Sequence, residues 1–318
     1  MRLGFFLSCE EHGPAELVAQ ARAAQDAGFE GLWISDHYHP WNHEQGQSPF
    51  VWSVIGALAG AGVTLPVTTA VTCPTIRIHP AVVAQAAATS AVLLDGRFNL
   101  GVGSGEALNE HILGSGWPEA EVRLEMLEEA IDVMRRLWTG EVVSHRGRHY
   151  RVENARIFTR PAEPPPILVS GFGPKAIDLA GRVGDGFVTT SPDADGIERF
   201  REAAGDKPVQ AGAKVCWASS KDEAVETAHR LWPNDQLPGE LAQVLPTPEH
   251  FEQATELVTE EMVAEVMPCG PDLDEHLETL KEYADAGVDE LHVQQVGGNH
   301  EGFFDAYRRD VLPRFADA

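Results

Sequence analysis

Short apolar runs alternate with longer stretches of helical period along almost the whole chain. Residues 3–7, Leu-Gly-Phe-Phe-Leu, have the length and continuity of a buried strand. From Pro14 the pattern changes: Leu17, Val18, Ala21 and Ala24 recur at i, i+3 and i+4 spacing up to Gly28, which predicts a helix opened by proline and closed by glycine. The same unit then repeats. Strands are predicted at 31–35, 67–72, 98–103, 167–170, 186–190 and 209–217, and 262–267 and 290–296 read as the seventh and eighth strands of the set. Helices are predicted between them, at 49–61, 80–94, 119–138, 174–183, 196–204, 221–231, 272–286 and 301–315. The clearest is 119–138, where Val122, Met126, Leu127, Ala130, Ile131, Met134 and Leu137 share one face and acids and arginines take the other.

Two stretches break the rhythm. Within 141–158, Val142-Val143 and Tyr150-Arg151-Val152 flank His145-Arg146-Gly147-Arg148, a hairpin signal. Between 232 and 260, Pro233, Pro238, Pro246 and Pro248 punctuate short helical pieces, which predicts a helical insertion over the barrel mouth. Strands alternating with helices, nine runs with 262–267 counted, imply a parallel sheet covered on both faces, an α/β fold of the (β/α)8 TIM-barrel kind. No change of composition divides residues 1–318, so a single domain is expected.

Composition narrows the partners. Hydrophobic residues make up 43% of the chain, enough for a substantial core. Lys plus Arg number 24 against 49 Asp plus Glu, a formal charge of −25, and such a surface repels nucleic acid and anionic lipid. Four cysteines (Cys9, Cys73, Cys216, Cys269) lie far apart with no CxxC pair, which argues against a zinc site or a disulfide framework. The acidic pair Glu10-Glu11 interrupts the N-terminal apolar run too early for a signal peptide, and no span approaches the roughly 18 apolar residues of a membrane helix. A cytoplasmic protein acting on a small molecule is expected, with no metal, nucleic acid or membrane.

In barrels of this kind, the chemistry collects in the loops that follow the C-terminal ends of the strands. Residues 36–41 place two histidines, a carboxylate and an indole directly after the apolar run 31–34. Thr72-Cys73-Pro74, Ser104-Gly105-Glu106, 170–173 and 189–193 occupy the equivalent loops. The glycines of 101–105 and 171–173 let a flat ligand or a phosphate approach the backbone, and the second run precedes a helix N-terminus with free N–H groups. The first run is similar to a dinucleotide fingerprint, but the acid expected after a second strand is absent, which removes a Rossmann reading. Trp138, Trp217 and Trp232 read as packing residues, with Trp232 also placed to line a pocket. His292 reads as a core histidine, and His79-Pro80 as a helix opening.

Ser35-Asp36-His37-Tyr38-His39-Pro40-Trp41, with Gly46 and Pro49-Phe50, begins a more specific likeness. Gly103-Ser104-Gly105-Glu106-Ala107-Leu108-Asn109-Glu110 and Ala180-Gly181-Arg182-Val183-Gly184-Asp185-Gly186-Phe187 extend it. Together they resemble the bacterial-luciferase-like superfamily, and within it the F420-dependent glucose-6-phosphate dehydrogenase group. The resemblance covers nearly the whole chain and implies the deazaflavin coenzyme F420 at the barrel mouth, a non-prolyl cis peptide at Ala70-Val71 and a homodimer. By position, the family's base matches His37, its active-site indole Trp41 and its second acid/base carboxylate Glu106. Asp36, Ala70, Val71, Cys73, Ser104, Gly105, Asn109, Ser170, Gly171, Phe172 and Gly173 match cofactor-contacting positions. His39 has no matching role and reads as a loop-stabilising residue.

One departure bears on the substrate. In the glucose-6-phosphate enzymes a threonine and a set of basic residues hold the substrate phosphate; Thr190 keeps the threonine, while the basic positions fall on Asp193, Ala264 and Asp289. Loss of those cations in an acidic protein disfavours a dianion. The expected activity is F420-dependent hydride transfer at the carbinol carbon of a non-phosphorylated sugar or other secondary alcohol. The alternatives are an FMN-dependent luciferase-like monooxygenase, a true F420-dependent glucose-6-phosphate dehydrogenase, or a non-catalytic flavin-binding barrel.

Overall fold

A computed structural model describes residues 1–315. Its barrel strands are β1 (Arg2–Leu7), β2 (Leu32–Ile34), β3 (Val67–Thr69) and β4 (Phe98–Val102), followed by an outlying hairpin of β5 (Val143–Arg146) and β6 (Arg151–Ala155). The barrel resumes with β7 (Ile167–Ser170), β8 (Gly186–Thr189), β9 (Val209–Val215) and β10 (Glu290–Gln295). Spatial order follows chain order, and β1 closes the ring on β10 with Arg2 opposite Glu290 and Phe5 opposite Val293. The (β/α)8 expectation therefore holds, and the hairpin stands where the sequence placed it.

The early helices are α1 (Pro14–Ala27), α2 (Val51–Gly60), α3 (Pro80–Leu93), α4 (Ala107–Glu110) and α5 (Ala120–Trp138). After β7 come α6 (Pro174–Val183), α7 (Ala194–Ala204) and α8 (Lys221–Leu231), and the insertion contributes α9 (Leu241–Val244), α10 (Pro248–Ala254) and α11 (Glu260–Ala264). The chain closes with α12 (Leu273–Asp285) and α13 (His300–Ala306). No helix of the described residues is long and apolar enough to cross a membrane.

One predicted strand is absent from the barrel. Residues 262–267 form no barrel strand: 260–264 are α11, and the seventh strand is β9. The Thr259 hydroxyl caps the helix by accepting from the Met262 N–H, and two glutamates occupy its first turn. Val263 and Met267, four apart, are buried while Met262 and Val266 are exposed, so the apolar residues follow a helical period, not an alternation. A single parallel bridge between Cys216 and Cys269 is all the strand pairing near this segment.

Successive strand residues face opposite ways, which splits the core in two. Outward residues such as Leu32 and Ile34 pack under the helices in one large cluster. Inside the barrel, Trp33, Leu168 and Val188, with Phe6, Ala70 and Val71 against them, form a smaller plug. Trp33 donates its indole N–H to Gln210 at 2.7 Å and stacks on His292 at 4.8 Å. Gly212 makes this possible, since a Cβ there would stand 2.7 Å from the Trp33 ring. His292 is thus the core histidine the sequence suggested, and the plug is the floor of the mouth.

Candidate active site

The sequence places polar groups just beyond the apolar strands, and each strand end delivers them to the same side of the plug. β3 stops at Thr69, the Ala70–Val71 peptide that follows is cis, and Thr72 then bridges to Val102. The cis bond lies where the resemblance put it and brings both residues onto the apolar floor.

His37 follows β2. Its Nδ1–H donates to the His39 carbonyl at 3.2 Å, which leaves Nε2 as the nitrogen that can take a proton. That Nε2 lies 3.4 Å from Glu10 Oε1. Glu10 is buried and held in turn by the hydroxyls of Ser35 at 2.6 Å and Ser8 at 3.0 Å. Trp41 packs its ring 4.9 Å from that of His37 and 5.1 Å from Phe251 of the insertion. Its backbone N–H donates to Gln45, whose amide in turn donates to the Leu231 carbonyl at the end of α8.

Glu106 and Asn109 reach the same place from the loop after β4. Asn109 Oδ1 accepts from the Tyr38 and His39 N–H groups at 2.8 and 3.2 Å, and its Nδ2 donates to Glu106 Oε2 at 3.4 Å. One amide thus ties the histidine loop to the second carboxylate. His39 Nδ1 donates to the Leu108 carbonyl at 2.9 Å, a loop-stabilising bond as its sequence context suggested. Gly105 has φ +85, a conformation disfavoured for other residues, and a Cβ there would meet the Cys73 sulfur at 2.5 Å. Burial pushes the Cys73 thiol well up, so the sulfur is a packing group and a partner for Thr75 at 2.9 Å.

Asp36 serves a buried ionic network. Its Oδ2 accepts from the Thr72 hydroxyl at 2.8 Å and its Oδ1 pairs with Arg77 Nη2 at 2.7 Å. Arg77 also bonds Glu110, through its backbone N–H at 2.6 Å and its Nε at 3.5 Å. Burial pushes the Glu110 carboxyl up despite that guanidinium.

Ser104 lies beside Gly105, and Ser170 ends β7 next to Gly171 at the foot of α6. Phe172 is exposed, and Gly173 is the N-cap residue of α6. Thr190 lies at the mouth end of β8, where its carbonyl accepts from Tyr283. Asp193 spends its carboxylate capping α7, accepting from the Gly196 N–H at 3.1 Å. Ala264 lines a cavity of about 390 Å³ shared with Glu265, Glu275, Glu278 and Glu282. Asp289 is a correction: it precedes β10, at the far end of the barrel from the mouth, where it pairs with Arg201 and accepts from the Val209 N–H.

Residues the sequence reading passed over complete the rim. Glu10 and Glu11 entered only as an argument against a signal peptide. Glu11 is pushed up by burial while accepting from the Trp232 indole at 2.6 Å, Gln294 at 2.8 Å and the Gly297 N–H at 2.8 Å. Lys214, on the inward face of β9, stands 4.1 Å over the Trp232 ring and pairs with Asp235 at 2.9 Å. Trp232 is thus a packing residue beneath Lys214, only 4% exposed. The signal available was position: a carboxylate just past an apolar strand end, as Asp36 is past β2.

A family model described as luciferase-like monooxygenase matches residues 1–290. The F420-dependent glucose-6-phosphate dehydrogenase of Nakamurella multipartita is 36% identical over 99% of this chain and 96% of its own. The enzyme of that name from Nocardia farcinica is 35% identical, with 99% and 98% covered. Among solved structures, an F420-dependent secondary alcohol dehydrogenase in complex with an F420-acetone adduct superposes with a TM-score of 0.91 at 30% identity, covering 98% of each chain. With these matches along nearly its full length, the chain belongs to the luciferase-like family.

Proposed function

We propose that the protein is an F420-dependent oxidoreductase that exchanges hydride with the carbinol carbon of a non-phosphorylated secondary alcohol. One observation carries the reading: His37 backed by Glu10, Trp41 and Glu106 converge above an apolar floor, in a mouth whose lysine is already matched by Asp235. The relatives named for F420 and the solved secondary alcohol dehydrogenase support the cofactor and the reaction class.

The residues present fit a deazaflavin. Ala70 and Val71 offer an apolar surface to a flat ring, Ser104 and Gly105 bring backbone close, and Gly173 with α6 behind it offers N–H groups to a phosphate. When bound, the deazaflavin accepts or returns the hydride at its C5. The chain manages the proton. As an alcohol becomes a carbonyl, its hydroxyl proton must leave, and His37 Nε2 is the nitrogen with a free lone pair to take it. Glu10 Oε1, 3.4 Å away, stabilises the imidazolium so formed, and its own bonds to Ser8 and Ser35 fix its position. Glu106, oriented by the Asn109 amide that donates to its Oε2, places a second acid/base carboxylate at the mouth.

The substrate is neutral or cationic on the same grounds. Arg77 is committed to Asp36 and Glu110, and Lys214 to Asp235, so neither is free for a dianion. The test is loss of the visible absorbance of oxidised F420 with secondary alcohols, free sugars and glucose 6-phosphate in parallel. Turnover is expected with an uncharged alcohol. A micromolar KM for glucose 6-phosphate overturns the substrate assignment, and tight FMN binding without F420 binding overturns the cofactor.

A further inference from the structure

Behind the loop that carries Glu10, on the outer side of the barrel rim, two histidines and a glutamate face one another. His12 precedes α1, Glu16 lies in its first turn and His300 opens α13. His12 Nδ1 is 3.1 Å from Glu16 Oε1, and the two imidazole rings are 4.8 Å apart at 77°. One ligand atom from each of the three residues falls within 4.8 Å of the others.

The bonding around this cluster is incomplete. His12 is 5% exposed, yet its Nε2 is buried without a hydrogen-bond partner, and so is the Nε2 of His300. Buried ring nitrogens left unpaired are costly, and native proteins rarely keep two side by side. Glu11 Oε2 lies 4.0 Å from His12 Nε2 and adds negative charge beside the cluster.

We propose that His12, Glu16 and His300 form a binding site for a divalent cation of the zinc type, with water completing the coordination. Two imidazoles and one carboxylate are the donor set such borderline ions take, whereas magnesium and calcium favour all-oxygen sites. Ligand atoms around tetrahedral zinc stand roughly 3.4 Å apart, so a small side-chain contraction from the present spacing closes the site. The cysteine spacing could not reveal it, because the ligands come from the two ends of the chain and meet only where β1 and β10 close the barrel. The ion pins the first loop, with Glu10 and Glu11 in it, to the closing helix.

The test uses untagged full-length protein, stripped with a chelator and titrated with zinc chloride by calorimetry. One saturable equivalent is expected, with a rise in Tm, and cobalt in place of zinc gives visible ligand-field bands. The paired substitution His12→Gln with His300→Gln abolishes the equivalent. Glu16→Gln, at a half-exposed helix position that leaves folding intact, weakens it by about tenfold or more. Glu16→Gln also decides the matter if the paired variant does not fold. Absence of a saturable site in the unmodified protein overturns the proposal, as does an affinity that Glu16→Gln leaves unchanged.

Discussion

Glu10 is the residue on which the proposed proton chemistry turns, because His37 Nε2 has no other carboxylate within ion-pair reach among the described residues. Removing the charge while keeping the shape separates positioning from packing. Glu10→Gln is expected to lower kcat by about ten- to a hundredfold and to move the pH profile of kcat, with KM for the alcohol little changed. His37→Ala is expected to cost about a hundredfold or more in kcat. Steady-state kinetics across pH with F420 measures both, and an unmoved profile in Glu10→Gln removes Glu10 from the mechanism. At this scale the crowded stretch 36–41 stood out in the sequence because reactive side chains after an apolar strand have few packing explanations, and the resemblance added Glu106; the proposed roles of His37, Trp41 and Glu106 rest on these kinetics. The sequence did not disclose Glu10, whose neighbours Cys9, Glu11 and His12 look like an ordinary turn, nor Asn109 as the amide joining two loops.

The loops around the mouth hold their shape through the Asp36–Arg77–Glu110 network, which ties the segments after β2, β3 and β4. Both carboxylates are nearly inaccessible, Asp36 at 4% and Glu110 at 0% exposed. Replacing Arg77 by methionine leaves two buried carboxylates without their cation. The expected loss is about 3–5 kcal/mol of stability, read from urea unfolding, since breaking a buried pair strands its charges. A loss under about 1 kcal/mol means that solvent reaches the network. Some element boundaries were legible: α6 and α8 run over 174–183 and 221–231 as predicted, and the Ser220 side chain caps the second by accepting from the Glu223 N–H. Strand three was read as 67–72 because its β-branched and apolar run continues through Ala70 and Val71, whereas the strand itself ends at Thr69. Residues 262–267 were misread because two apolar pairs in a short window satisfy either period.

For the whole molecule, the alternation of runs was enough to specify the barrel, while the acidic balance limited its ligands. That balance also shapes the response to acid, through groups whose burial opposes charge. His276 is fully buried between α12 and α13, with Nδ1 accepting from the Tyr307 hydroxyl at 3.0 Å and Nε2 donating to the Gly270 carbonyl at 3.1 Å. Burial lowers its pKa from 6.5, so the unfolded chain takes up this proton first as pH falls. The stability that the neutral ring contributes is present above about pH 6.5 and is lost progressively below it. Glu11 and Glu110 act in the opposite sense: burial raises both, the folded state protonates them first, and their unfavourable contribution fades toward pH 4.5. The histidine contribution is isolated by comparison with His276→Gln, which cannot titrate. The variant is expected to melt below the unmodified protein at pH 8, having lost part of the hydrogen bonding that joins α12 to α13, and the gap in Tm should narrow as pH falls from 6.5 to 5. A gap that stays constant across that range shows that His276 takes up its proton equally in the folded and unfolded chains, and that the acid response of this barrel lies with other groups.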